Sequence, residues 1–456
     1  MEKRKVILDV YPYWSVDTIK NANVKLSLKN YRVEVGKPCL IFMEETYGIP
    51  SNVIWDSLKL FDDYGEILYE TEVERIQHKV EKRILLKRET NGEVIVIYRA
   101  EFLPARPNPV MDMGFEKNGI TGTGCAWLPK FLKGEYEAEI YFHKENVPSD
   151  CRLLCGYGED SIHKTIGENG LQEVFYCFGK VGAVEENNFG YYWMEREGFD
   201  ASEVAVWTKN LFLKMAQFFN DEGDTYKIFA RARKCHCSGG VAGIRSYTYI
   251  YDPENLPSFE SLKFLFAHEM VHNWVQLNDK PYGTCTWYVE GMAEYYSLVL
   301  PWRFGLVTRE EVKHQLESRI KQYYENPCRL LSNQQLGNLL FQDLEATDVP
   351  YGRGMFYLMQ VDKRIREKTN GTKNLDCVMK RMQEKVKQDE TLQNLAWIKA
   401  VEEETGLDEM EYLLLLSQGE LILPEFSCFE GAEFEVEECD AVVRKSGEAC
   451  KSYLVK

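Results

Sequence analysis

The stretch His268-Glu269-Met-Val-His272 constrains this chain more than any other five residues in it. On an α-helix two imidazoles four positions apart stack on one face, one turn apart, and Glu269 then projects beside them. Such a face can grip one cation between two neutral imidazoles and keep a carboxylate within reach of whatever the cation binds. Leu262, Leu265, Phe266 and Met270 keep helical apolar spacing around the motif, and Pro257-Ser258 is a start signal. A helix carrying both histidines is therefore expected. With only seven histidines in the chain, chance is a poor source for the pattern.

A third ligand has to come from elsewhere. From Trp287 the chain reads Trp-Tyr-Val-Glu290-Gly291-Met-Ala-Glu294-Tyr295-Tyr296, a second helical stretch with two glutamates one turn apart. Two histidines and a carboxylate make a zinc set that leaves one position open, so one Zn2+ per chain is the expected cofactor. Glu290 can complete the set, with Glu294 behind it as the partner that orients a ligand histidine. Spacing alone also allows Glu294 to be the ligand.

His268-Glu269-x-x-His272 followed by Trp287-x-x-Glu290-Gly291-x-Ala293-Glu294-Tyr295 resembles the gluzincin metallopeptidases, in particular the glycyl aminopeptidase-like and aminopeptidase N-like families, the former more closely. Seventeen residues separate His272 from Glu290, one fewer than in the aminopeptidase N-like pattern, as a shortened connecting loop would give. Val349-Pro350-Tyr351-Gly-Arg-Gly354 resembles the Pro-Tyr-x-x-Gly element of these families, and the resemblance implies that Tyr351 is the catalytic tyrosine. Their Gly-x-Met-Glu-Asn strand carries a glutamate that holds the free amino terminus of the substrate. Here the matching stretch is Gly239-Gly240-Val241-Ala242-Gly243, with Ala242 in the glutamate's place. The resemblance implies that Gly239, Gly240, Val241 and Ala242 form an edge that pairs with extended substrate.

The same resemblance implies an α+β architecture: an all-β amino-terminal sandwich or saddle, then a thermolysin-like, mainly helical zinc peptidase domain. It implies a zinc metallopeptidase acting on peptides, with Glu269 as general base and Tyr351 donating to the oxyanion. Ala242 leaves open whether cleavage is at the amino terminus or internal. The alternatives are a gluzincin-fold binding or scaffold protein without peptidase activity, and a zinc hydrolase of a non-peptide substrate.

Composition narrows the partners. The chain has 456 residues, enough for two or three domains, and 72 acidic against 55 basic residues for a formal charge of -17. That balance argues against nucleic acid, which needs a basic face. Met1-Glu-Lys-Arg-Lys-Val-Ile-Leu-Asp-Val10 reads as a strand rather than a signal peptide, and no apolar run approaches a membrane span. Thirteen cysteines without a regular framework fit free thiols in a reducing cytoplasm. Cys235-His236-Cys237 and Cys151-x-x-x-Cys155 are minor metal candidates.

Along the chain, residues 1–190 read as β: Val24, Leu26 and Leu28 alternate, as do Val33 and Val35, then Tyr136, Ala138, Ile140 and Phe142, with a β-branched run over 94–98. A boundary is expected between Gly182 and Asp200, with the catalytic domain over 191–427 and a short tail over 428–456. Pro301 is expected to end the Glu290 helix, Thr308-Arg-Glu-Glu311 to cap the next, and Tyr351 to open a fourth. Arg353 is read as the partner of a neighbouring acidic side chain rather than of a substrate carboxylate.

Overall fold

The protein is described from a computed structural model over residues 3–15, 18–76, 79–104, 111–194, 201–221, 225–233, 239–256, 258–340 and 342–456. It divides into two compact units, Met1–Ala205 with Gly223–Pro257, and Val206–Glu222 with Ser258–Lys456.

The first unit is built of sheets. Its largest has seven strands, in the order Ser161–Ile166, Tyr136–Phe142, Arg4–Ser15, Thr18–Lys29, Val94–Glu101, Val53–Asp62 and Gly65–Glu66. Arg4–Ser15 lies parallel to Tyr136–Phe142, with Leu8 opposite Ile140, and antiparallel to Thr18–Lys29, with Leu8 opposite Leu26. The period-two pattern sends Val6, Leu8, Val24, Leu26, Leu28, Val94 and Val96 to one buried face. A four-stranded sheet and a five-stranded sheet add to that core. Phe42 meets Trp55 and Tyr98 edge-on at 5.5 Å each, and Trp127 meets Tyr176 at 5.1 Å. One reading fails here: no strand runs through Val33 and Val35. The chain turns at Gly36, whose φ is +73°, and the Val33 amide donates to the Thr90 hydroxyl at 3.1 Å instead of joining a ladder.

A second five-stranded sheet has the order Gly182–Glu186, Phe189–Trp193, Tyr226–Ala232, Ser246–Tyr251, Gly239–Gly243. Residues 185–194, rich in turn formers and aromatics, thus form a hairpin rather than a linker. Gly239–Gly243 is the end strand, antiparallel to Ser246–Tyr251 with Ala242 opposite Tyr247.

The second unit is helical, as expected. The nine helices among the described residues are α1 (Ala201–Phe218, entering this unit at Val206), α2 (Phe259–Val271), α3 (Thr286–Arg303), α4 (Arg309–Tyr324), α5 (Asn333–Leu339), α6 (Leu344–Lys368), α7 (Leu375–Gln388), α8 (Asn394–Thr405) and α9 (Met410–Gln418). The capping box at Thr308 and Glu311 opens α4, and Gly406 and Gly419 close α8 and α9 in left-handed backbone. Two prolines are not the boundaries their chemistry suggests. Pro301 lies inside α3, which ends two residues later, and Pro350 lies inside α6, so Tyr351 sits well past the start that Asp343 caps at Leu344. Each proline removes one helical hydrogen bond, and each is itself buried inside its helix, with Leu300 before Pro301 and Val349 before Pro350 buried as well. A hairpin of Val436–Val442 and Ala449–Val455 finishes the chain, with Tyr453 against Tyr324 at 4.8 Å and Arg444 Nη2 donating to Glu345 Oε2 at 2.6 Å. Among the described residues, no helix is long and apolar enough to cross a membrane.

Candidate metal centre

The site is assembled from α2, α3, α4 and α6 of the second unit. The Ser258 side chain accepts from the Ser261 amide at 3.3 Å and starts α2. The helix closes at Val271, one residue before the motif ends. His272 occupies the cap with backbone still in the α region, φ -55° and ψ -21°, so the four-residue spacing keeps its geometry. The two Nε2 atoms are 3.1 Å apart and the rings nearly perpendicular, with centroids at 4.7 Å.

The loop from α2 to α3 is fixed by Asp279, which accepts from the Cys285 amide at 2.6 Å and from the Thr286 hydroxyl at the first turn of α3. Trp287 then anchors that turn by donating to Asn394 Oδ1 at 3.0 Å. One turn on, Glu290 Oε2 stands 3.3 Å from His268 Nε2 and 3.6 Å from His272 Nε2. The ligand atoms of His268, His272 and Glu290 all lie within 4.8 Å of one another, and no other such group of three occurs among the described residues. Glu294 takes a different place. Its Oε1 is 2.9 Å from Nδ1 of His268, the ring nitrogen that Glu290 does not face, and 2.6 Å from Arg319 Nη2 on α4.

The charges explain what such a cluster requires. Glu290 Oε2 is buried and makes no hydrogen bond of good geometry. Burial disfavours its charge, yet His272 and His268 hold the carboxyl well below the usual range. Burial likewise opposes a charged His268, but Glu290 and Glu294 push it up to about 10. Burial raises Glu269 above an ordinary glutamate against the pull of both histidines. Three carboxylates crowd two imidazoles, and a divalent cation on the three converging atoms would satisfy the charge that a proton on His268 otherwise meets. Nitrogen and oxygen donors in this number fit zinc.

Tyr351 joins the cluster from α6, its ring stacked on His268 at 5.6 Å and 12°. It reaches that place because α3 and α6 cross at glycines. A Cβ on Gly354 would stand 2.0 Å from the Trp287 carbonyl oxygen and 2.8 Å from Gly291 Cα, and one on Gly291 would stand 2.6 Å from Gly354 Cα. The glycines of the Glu-Gly and Tyr-x-x-Gly elements are thus one contact seen from two sides.

Arg353 corrects an expectation. It is fully buried and donates to Asn333 Oδ1 at 2.8 Å and to the Arg329 carbonyl at 2.7 Å, so it meets neutral oxygens and holds the segment before α6. Gly239, Gly240, Val241 and Ala242 lie in the end strand of the second five-stranded sheet, within the first unit. Cys235-His236-Cys237 falls outside the described residues, and Cys151 and Cys155 are buried free thiols. Among the described residues around the site, Arg319 is marked by no local pattern in the sequence.

Comparison with solved structures defines the class. An aminopeptidase N family protein from Idiomarina loihiensis aligns with a TM-score of 0.72 at 14% identity, over 95% of this chain and 79% of its own. The native leukotriene A4 hydrolase of Saccharomyces cerevisiae aligns with a TM-score of 0.57 at 12% identity, over 90% of this chain and 66% of its own. The fold is therefore that of the aminopeptidase N and leukotriene A4 hydrolase type, mixed α+β with a sheet-rich amino-terminal part and a helical carboxy-terminal part. Residues 261–338 match the family model of the M61 glycyl aminopeptidases, a segment holding His268, Glu269, His272, Glu290, Glu294 and Arg319 and ending before Tyr351. The resemblance to the gluzincin peptidases thus holds in fold and in the site segment, and it supports a peptidase. No curated protein matches the chain by sequence.

Proposed function

We propose that the protein is a zinc-dependent metallopeptidase, with one zinc per chain held by His268, His272 and Glu290. The observation that carries the reading is the convergence of two Nε2 atoms and one buried carboxylate oxygen without a good hydrogen bond, all within 4.8 Å. Zinc held there supplies a Lewis acid that lowers the pKa of water in its open position. Glu269, raised above an ordinary glutamate by burial, would take a proton from the attacking water and hand it to the departing amine. Tyr351 donates a hydrogen bond to the oxygen on which negative charge grows. Glu294 Oε1, 2.9 Å from Nδ1 of His268, would orient that ring so that Nε2 turns outward.

The substrate in this reading is a peptide whose extended backbone pairs with Gly239, Gly240, Val241 and Ala242. The domain scheme that accompanies it is a β domain over 1–190, a catalytic domain over 191–427 and a tail over 428–456. None of the described cysteines is paired, which supports placing the enzyme in the cytoplasm. The high acidic excess supports a partner other than nucleic acid.

The test is cleavage of a mixed peptide library, half of it acetylated at the amino terminus, by zinc-loaded protein and by Glu269→Gln, with products identified by mass spectrometry. Cleavage lost in the variant supports the reading. Cuts confined to free amino termini would assign an aminopeptidase whose amine anchor is not at position 242, and cuts inside blocked peptides an endopeptidase. Equal product patterns from both proteins, or none from either, would overturn the peptidase reading.

A further inference from the structure

His268 carries two ring nitrogens, and each has its own carboxylate: Nε2 faces Glu290 Oε2 at 3.3 Å, Nδ1 faces Glu294 Oε1 at 2.9 Å. The Glu294 side chain is 2% exposed, and its Oε1 also lies 2.6 Å from Arg319 Nη2. Nη1 of the same guanidinium donates to Gln322 Oε1 at 2.7 Å, one turn further along α4. A single carboxylate oxygen therefore lies between the arginine and the histidine. The fork of the guanidinium is held at both tips, which a lysine could not reproduce. Helix α4 is itself tied to α2 where Lys263 Nζ donates to Glu311 Oε1 at 2.7 Å, so the arginine is referenced to the helix that carries the histidines.

We propose that Arg319 is a positioning residue of the metal centre. It fixes the Glu294 carboxylate, which fixes the tautomer and ring plane of His268, so that Nδ1–H points at Glu294 and the Nε2 lone pair points at the metal. The proposal rests on the zinc reading above. Because the guanidinium sits on the oxygen that faces the ring, and not on the other carboxylate oxygen, removing it frees the contact that orients His268. A purely structural arginine would join α3 and α4 without affecting metal affinity. Loss of an outer partner of a metal-bound histidine weakens metal binding by about 10- to 100-fold.

Zinc affinity is measured by competition with a chromogenic chelator on the full chain, for wild type, Arg319→Met, Arg319→Lys, Glu294→Gln, the Arg319→Met/Glu294→Gln double variant and His268→Ala. Arg319→Met is expected to lose about 10- to 100-fold in affinity. The same change is expected to add nothing in the Glu294→Gln background, because the path runs through Glu294. Arg319→Lys, which keeps the charge without the fork, is expected to fall between wild type and Met. It decides the question if the Met variant does not fold, when wild-type affinity in it overturns the proposal. Wild-type affinity in Arg319→Met, or fully additive losses in the double variant, also overturns it. Absence of zinc binding by the wild type, or undiminished binding by His268→Ala, brings down the metal reading itself and this proposal with it.

Discussion

At the scale of single residues, the proposed function assigns some groups to the metal and others to the substrate, and substitution should separate them. Glu269→Gln keeps the size of the side chain and removes its basicity. It is expected to retain zinc, read by metal analysis after dialysis, while peptide turnover falls by about 10²- to 10⁴-fold. Tyr351→Phe is expected to retain zinc and lose about 10²- to 10³-fold in kcat, the cost of one oxyanion donor. Glu290→Gln should instead lose the metal. Had the roles of Glu290 and Glu294 been exchanged, Glu294→Gln would strip the zinc and Glu290→Gln would keep it, so the pair of assays tells them apart. The residues legible in the sequence are those whose relation is local: His268 and His272 on one helical face, Glu290 and Glu294 one turn apart. Which glutamate meets which ring nitrogen is a matter of how α2 and α3 pack, and no spacing encodes that. Arg319 lies 25 positions beyond Glu294 on another helix, and only packing brings them together. Arg353 was misread because burial, which decided its partners, is a property of three packed segments.

At the scale of elements, the crossing of α3 and α6 is the contact with least room. Gly354→Ala puts a Cβ 2.0 Å from a backbone oxygen, which no side-chain rotation can relieve. The change is expected to cost about 1–3 kcal/mol in denaturant unfolding, the usual range for overpacking, and to weaken zinc binding because Glu290 adjoins the crossing. Gly167→Ala, at a glycine with nothing within 4 Å, is the control and is expected to stay within about 0.5 kcal/mol of wild type. The element boundary written in side-chain hydrogen bonds was readable: Thr308 and Glu311 cap α4 reciprocally. The boundaries inferred from proline were not, since Pro301 and Pro350 each lie buried inside a helix. Val33 and Val35 alternate as a strand would, but alternation describes a face, and a strand also needs a partner for its amides.

At the scale of the whole molecule, each compact unit has its own architecture, sheets in one and helices in the other, and the candidate metal lies wholly within the second. Chelation should therefore act on one unit. Zinc at about 100 times its dissociation constant adds about 2.7 kcal/mol to the stability of the state that binds it. Removing zinc is expected to lower the melting temperature, zinc but not magnesium to restore it, and amide exchange to rise in α2 and α3 while the seven-stranded sheet keeps its protection. Uniform loss of protection across both units would contradict this division. The strands of the first part and the helices after residue 258 were legible from hydrophobic period, although the chain returns to strands over Tyr226–Ala232, Gly239–Gly243 and Ser246–Tyr251 after α1. Strand order was not, because the parallel pairing of Arg4–Ser15 with Tyr136–Phe142 joins segments more than a hundred residues apart. The two glycines at the helix crossing also bear on how such a chain can change its preferences. They set the separation of Glu290 and Tyr351 by backbone against backbone, so side-chain drift elsewhere leaves that separation intact. On the proposed function, new substrates must then be won by recasting the walls around the centre, while the pair at its heart behaves as an inherited fixture that selection can keep or lose but cannot adjust by small steps.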